Sequence, residues 1–294
     1  MSAQIIDGLA VAAEIRAELK ERVAKLRAAG ADPGLAFIIV GVNPASISYV
    51  KSKAQGCEEI GLRSQTINLP EDTTQEALLK VVEEVNADPK WSGMIVQLPL
   101  PKHMDPDLVT SAVHPDKDVD GLHPFNQGRM LSGVPGPKSC TPFGVQQLLQ
   151  RTGNDPSGKH VVIIGRSNLV GKPLAAILMQ KATGANATVT VCHTGTKDVA
   201  SYTRTADIVV VAAGVPNALT ADMIRPGTVV IDVGTNRVPD ATRKSGTRLT
   251  GDVDFENVKE VASWITPVPG GVGPMTVTML LSNTVDAAER AAGI

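Results

Sequence analysis

The sequence predicts an α/β protein of two α/β domains in series, on three observations. Apolar runs of strand length alternate with helix-periodic segments in two successive blocks, as in parallel sheets with crossover helices. Hydrophobic residues are 43% of the 294 but aromatics only 3%, so the cores must be built from Val, Ile, Leu and Ala, as in strands buried on both faces. From Pro99 to Pro142 prolines and glycines crowd together and periodicity fails, which marks a connector with long loops and the domain boundary.

In chain order, Leu9, Ala12, Ile15, Leu19, Val23 and Leu26 mark a helix that Gly30 can close. Leu35 to Val40 is a continuous apolar strand. A helix opens at Pro44, where a missing N–H costs nothing, and runs to Gly61 with Val50, Ala54, Cys57 and Ile60 as its stripe. Arg63 to Leu69 is a weaker strand. Thr73-x-x-Glu76 reads as a capping box for a helix through Val85, and Gly93 to Leu98 as a third strand. Past the connector, Thr141-Pro142 caps a helix to Gly153. A second series follows: strand His160–Gly165, helix Gly171–Thr183, then strands Thr188–His193, Asp207–Gly214 and Thr228–Gly234. The last two end in glycine, as chains do where they meet a ligand. Thr266 to Pro274 reads as a rigid loop and Thr276 to Ala292 as a final helix.

A formal charge of -2 supplies no electrostatic footprint for nucleic acid or an acidic membrane. Cys57, Cys140 and Cys192 are scattered, without the spacing of a zinc site or a disulfide framework, which fits a reducing compartment. No signal peptide and no membrane-length apolar run is visible, so a cytoplasmic location is expected.

Several stretches carry chemistry. Ser46, Tyr49 and Lys53 fall three and four residues apart and share a helix face. Burial lowers a lysine pKa, and a lysine poised near neutrality can move protons. The same residues also describe an ordinary amphipathic helix with a solvated Lys and a half-buried Tyr. Tyr49-x-x-x-Lys53 further matches the pair of short-chain dehydrogenases, but there the pair follows the cofactor turn, whereas here it precedes it by more than a hundred positions. Gln97 is polar at the end of a buried strand, so its amide needs a partner: Lys53, a ligand or a turn.

Asp116-Lys-Asp118-Val-Asp120-Gly121 imitates the start of a calcium loop, but Gln127 stands where the bidentate Glu is required, and calcium is rejected. The turn is either a solvated acidic loop or a carboxylate aimed at a pair of donors. His103, His114 and His123 have no metal-ligand spacing and read as loop residues. Val161 to Pro173 is a strand, a turn and a helix start that can hold a phosphate on backbone N–H groups. It keeps Gly165 and Gly171 but places Ser167 and Val170 in the other glycine slots of the dinucleotide fingerprint. Arg166 is placed to reach a phosphate. The next strand ends Cys192-His193-Thr194 with no carboxylate for a ribose diol, which favours NADP over NAD.

Together, Tyr49-Val-Lys-Ser-Lys53, Val96-Gln-Leu-Pro-Leu-Pro101, Asp116 to Gly121, Gly165 to Pro173 and Pro267 to Thr276 closely resemble the bifunctional methylenetetrahydrofolate dehydrogenase/methenyltetrahydrofolate cyclohydrolase family, nearly end to end and in order. Thr194 stands where many members carry Ser. The resemblance implies a folate-binding catalytic domain of residues 1–140 plus 275–294, a Rossmann-like NADP-binding domain of 141–274, a cleft between them, and a homodimer through the NADP domains. It implies that Tyr49 positions the folate ring, Lys53 assists water attack on the methenyl bridge, Gln97 tunes Lys53, and Asp120 accepts from the pterin. Leu98, Pro99, Pro269, Gly270, Gly271 and Gly273 would shape the folate side. Gly165, Arg166, Ser167, Gly171, His193, Thr194, Gly214, Asp232, Gly234, Thr235 and Asn236 would contact NADP, and no metal is needed. Two other readings stay open: a monofunctional dehydrogenase of the same fold and a silent nucleotide-binding regulator.

Overall fold

Gly34–Val40 is buried along all seven residues and forms the centre of a three-stranded parallel sheet. Arg63–Leu69 pairs along one side and Gly93–Val96 along the other. With apolar side chains on both faces, this strand needs cover above and below, and crossover helices supply it. On one face Ala36, Ile38 and Val40 meet Leu78, Val82 and Val85 of the Gln75–Ala87 helix, together with Trp91, Met94 and Met104. The computed structural model describes residues 2–243 and 246–294. The chain divides into two units: Ala13–Cys140 with Val277–Ile294, and Met1–Ala12 with Thr141–Thr276.

In the first unit the Gly8–Ala28 helix buries Ile15, Leu19, Val23 and Leu26, and Gly30 at φ +87° follows its end as expected. Leu9, counted in that stripe, is exposed. The C-terminal stretch returns to this unit. Arg16 donates to Thr278 Oγ1 at 3.1 Å, and Arg22 pairs with Asp286 and Glu289. Gly56 lies so near Leu281 that a Cβ there would stand 3.1 Å from a leucine methyl.

Several boundaries differ from expectation. The N-cap of the Gln75–Ala87 helix is Thr74, accepting from Ala77 N at 3.2 Å, rather than Thr73; either hydroxyl fits the pattern, and the chain entry selects one. Asp105 caps Pro106–Ala112 and His123 caps Pro124–Leu131, so the proline-rich connector is broken into short helices. These are too short for a 3.6-residue period to show.

The second unit holds a six-stranded parallel sheet. Its order is Gln4–Ile5, Trp264–Ile265, Val229–Asp232, Ile208–Val211, His160–Ile164, Thr188–Cys192. The order reverses between His160–Ile164 and Ile208–Val211, the switch point outside whose carboxyl ends such sheets bind ligands. The two outermost strands on one edge are two residues each and leave no periodic signal. The predicted Gly171–Thr183 helix ends at Leu178, and the final helix starts at Val272, not Thr276. Gly273 and Pro274 therefore lie in its first turn, where proline's missing N–H is tolerated. A hairpin of Asn236–Pro239 and Thr247–Thr250 was not foreseen.

Candidate active site

The Pro44–Ile60 helix carries Lys53 inward, leaving it 9% exposed. Its Nζ donates to Gln97 Oε1 at 3.1 Å. Gln97 sits one residue beyond the Gly93–Val96 strand, still tied to it through its N–H on Ile38 O at 2.9 Å. Its Nε2 donates to Leu98 O at 2.6 Å, so the amide oxygen is left facing the lysine. Of the partners the sequence allowed Gln97, the structure selects Lys53 and the turn. Ser46 and Lys53 are both buried, while Tyr49 is 59% exposed. Tyr49 is thus at the rim rather than on the lysine's buried side, and Ser46 Oγ is buried without a hydrogen-bond partner.

The acidic turn sorts its three carboxylates into three environments. Asp116 is exposed and meets Arg129 at 3.3 Å. Asp118 is buried and accepts from Leu122 N at 3.2 Å, His123 N at 2.9 Å and Asn126 Nδ2 at 2.9 Å. Burial lifts its carboxyl above the usual range against those bonds. Asp120 is half-buried beside the Cys140 thiol. Burial and then the Asp120 charge push that thiol well up, with Lys53 opposing. Lys53, Gln97, Asp120 and Cys140 therefore form one neighbourhood in the first unit. The three histidines are loop fasteners. His114 and His123 accept backbone N–H groups on Nδ1, and His103 contacts Thr73 O at 2.9 Å.

In the second unit Gly165 and Gly171 close the nucleotide turn on itself. A Cβ on Gly165 would stand 2.1 Å from Ala212 O, and one on Gly171 would stand 2.1 Å from Gly165 O. Glycine is required at both. Arg166 and Ser167 protrude to solvent, and Ser167 Oγ accepts from Val170 N at 3.1 Å. The Gly171–Leu178 helix has no side-chain cap, but Lys172 N donates to Ser167 O at 3.1 Å and Pro173 carries no N–H, so its first turn offers a ligand the N–H of Gly171. Clearance of this kind lets a dinucleotide pyrophosphate come close to the backbone. After the next strand, Gly195 N donates to His193 Nδ1 at 3.1 Å and Thr194 is exposed. Pro269 is exposed, Gly270 takes φ +104°, and Gly271 is buried so tightly that a Cβ would meet Thr266 at 2.7 Å.

Models of two domains match this chain: the catalytic domain of tetrahydrofolate dehydrogenase/cyclohydrolase over residues 6–120, and its NAD(P)-binding domain over 139–292. The chain is 56% identical over 295 aligned residues to the bifunctional protein FolD of Dehalococcoides mccartyi, covering 100% of this chain and 99% of that one. To the bifunctional protein FolD 1 of Myxococcus xanthus it is 53% identical, with 98% of each covered. Its fold matches the bifunctional FolD of Campylobacter jejuni at a TM-score of 0.92 and 48% identity, over 99% of this chain and 100% of that one. It matches the Trypanosoma brucei dehydrogenase-cyclohydrolase, solved with NADP cofactor and an inhibitor, at 0.91 and 42%, over 99% of both.

The chain belongs to the tetrahydrofolate dehydrogenase/cyclohydrolase family. It is a bifunctional enzyme, a dehydrogenase and cyclohydrolase of tetrahydrofolates with a domain for the dinucleotide. For a tetrahydrofolate dehydrogenase/cyclohydrolase, two features of the nucleotide loops were not legible in its sequence. Asp232, expected at the cofactor, is buried, and its oxygens accept from Gly234 N, Asp252 N and Val253 N at 2.9 to 3.0 Å. It braces the loop instead of facing outward, and burial lifts its pKa to about 6. Asp252, not singled out at all, is fully buried. It accepts from Ala213 N at 2.7 Å, Gly214 N at 2.8 Å and Asn236 Nδ2 at 2.8 Å. Two loops that follow different strands are fastened to one carboxylate. The only local hint is a Gly-Asp-Val-Asp run, indistinguishable from any surface turn. Among the described residues no helix is long and apolar enough to cross a membrane.

Proposed function

We propose that the chain oxidises 5,10-methylenetetrahydrofolate with NADP and hydrolyses the methenyl product to 10-formyltetrahydrofolate, with Lys53 moving the protons of the second step. The observation that carries this is the buried Lys53 Nζ at 3.1 Å from Gln97 Oε1. A neutral amide aims the nitrogen without pairing its charge, and the amide is itself oriented by Leu98 O.

Bound NADP would supply the hydride acceptor for the one-carbon bridge, whose carbon would be left as a cation shared by the two flanking nitrogens. That step needs alignment rather than acid–base help. Gly165 and Gly171 give the pyrophosphate room against the turn, and the N–H of Gly171 faces it. Arg166, Ser167, His193 and Thr194 receive the adenosine ribose and its 2′-phosphate. The loops bearing Gly214, Gly234, Thr235 and Asn236 complete the cradle, with Asp232 behind them. In the hydrolysis, water adds to the bridge carbon and loses a proton, the ring nitrogen gains one, and the carbon–nitrogen bond breaks to leave the formyl group. Lys53 holds the proton between these events. Exposed Tyr49 offers its ring as a stacking surface, and Asp120 accepts two N–H groups of the pterin. Leu98, Pro99, Pro269, Gly270, Gly271 and Gly273 shape the folate side. The enzyme works in the cytoplasm as a homodimer.

The test is a two-wavelength assay following NADPH and the methenyl chromophore together. NADPH forming without methenyl accumulation supports both activities. Methenyl accumulating in step with NADPH would leave only a dehydrogenase, and no NADPH at all would leave a nucleotide-binding regulator.

A further inference from the structure

Asn283 lies on the buried side of the C-terminal helix, 2% exposed, among Leu280, Leu281 and Val285. An apolar residue would serve that helix face equally well. Thr284 beside it satisfies its hydroxyl within the helix, on Leu280 O at 2.9 Å. Asn283 instead reaches out: its Nδ2 donates to Val119 O at 2.8 Å and Lys138 O at 2.8 Å, with Cys140 Sγ at 3.7 Å.

Val119 O belongs to the peptide just before Asp120, and Lys138 abuts Gly121 just after it. The peptide before Asp120 is fastened through Val119 O, which accepts from Asn283 and from the Cys140 thiol at 3.4 Å. Beyond Asp120, Gly121 N donates to Asp118 O at 3.2 Å, and Gly121 O accepts from Ser139 Oγ at 3.0 Å and from Gln127 Nε2. Gly121 adopts φ +68°, and a Cβ there would stand 2.4 Å from Lys138 C, so segments 119–121 and 138–140 abut without slack. Both peptides around Asp120 are pinned, which fixes where its carboxylate can point. The other pins belong to residues 118–140. Asn283 ties both segments to a helix from the far end of the chain.

We propose that Asn283 is the positioning residue for Asp120 and thereby sets affinity for the folate. The proposal rests on Asp120 accepting from the pterin. Removing the amide strips one donor from Val119 O, which keeps only the weaker Cys140 thiol, and one from Lys138 O, and it cuts the tie between these segments and the C-terminal helix, so the turn can relax. That is enough to misalign a carboxylate that must meet two donors at once.

The experiment is a double-mutant cycle: Asn283→Ser, Asp120→Asn and the pair, with Asn283→Leu as a second removal. KM for methylenetetrahydrofolate, KM for NADP and kcat are measured for each. Asn283→Ser is expected to raise the folate KM roughly tenfold, the size of one lost buried hydrogen bond, with the NADP KM nearly unchanged. On the Asp120→Asn background the same change adds little, because the group it positions is already spoiled. Equal losses for folate and NADP, or full multiplication of the two folate effects, overturn the assignment of Asn283 while leaving Asp120 its role. An Asp120→Asn enzyme with wild-type folate KM overturns the role of Asp120 and the proposal with it. If Asn283→Leu does not fold, the cycle is decided by Asn283→Ser, which keeps one donor.

Discussion

The Lys53–Gln97 pair of the first unit and the glycine turn of the second both stand at the carboxyl ends of parallel strands, yet they are built from opposite materials. At Lys53 and Gln97 the working groups are side chains, placed by a helix and a strand end and joined by one 3.1 Å hydrogen bond. At Gly165 and Gly171 the turn works by closed backbone and cleared space, and side chains serve behind it: even Gly214 N is spent on Asp252. Asp252 and Asp232 hold the loops after two strands by six hydrogen bonds to N–H groups. Proton transfer needs an ionisable group at one point, which a side chain supplies. A diphosphate needs backbone shaped to let it approach, and shaped backbone must be braced.

The comparison breaks first at Lys53. Lys53→Met should abolish the cyclohydrolase, a loss of about 10²–10⁴-fold if general acid–base chemistry is removed, with NADP affinity little changed. Stopped-flow decay of the methenyl chromophore reads it, and near wild-type hydrolysis would remove the lysine from the mechanism. Arg166→Ala should weaken NADP by roughly ten- to a hundredfold, from a phosphate contact of about 1.5–3 kcal/mol, and NAD much less. The NADP advantage should also shrink as salt rises. Specificity constants for both dinucleotides decide this, and an equal loss would mean that Arg166 only stiffens the turn.

Asp252→Asn tests the bracing itself. One acceptor oxygen becomes a donor facing backbone N–H groups, at about 1–3 kcal/mol, and the effect should appear in the NADP KM while folate KM holds. A variant changed only in thermal stability would deny the loops any part in cofactor binding. The last test concerns Asp232, in stability rather than in binding. Its carboxyl is pushed up to about 6 in the folded protein, from 3.8. The folded state therefore binds a proton more tightly than the unfolded one between those values. Stability from this group is highest below about 4 and falls as pH rises toward 6. Urea midpoints across that window should fall less steeply in Asp232→Asn than in wild type, and parallel slopes would place the titration elsewhere.

The chain by itself determined the two α/β units, their long strands, the Tyr49/Lys53 helix and the glycine turn. These follow from local periodicity and from residue types whose chemistry is confined to a few positions. Lys53 on one helix face with Tyr49 and Gly165 in a tight turn are legible in that way. Tertiary structure alone decided that Gln97 turns its oxygen to Lys53 and that Tyr49 stands at the rim. It also decided that Asp118 braces while Asp120 remains half-exposed, and that Asp252 and Asn283 fasten loops far from them in sequence. Asp116, Asp118 and Asp120 are chemically identical and two positions apart. What separates them is burial and the donors that reach each one, and those come from segments the local sequence cannot name. Gln4–Ile5 and Trp264–Ile265, two residues each, became strands only because a sheet edge was there to receive them.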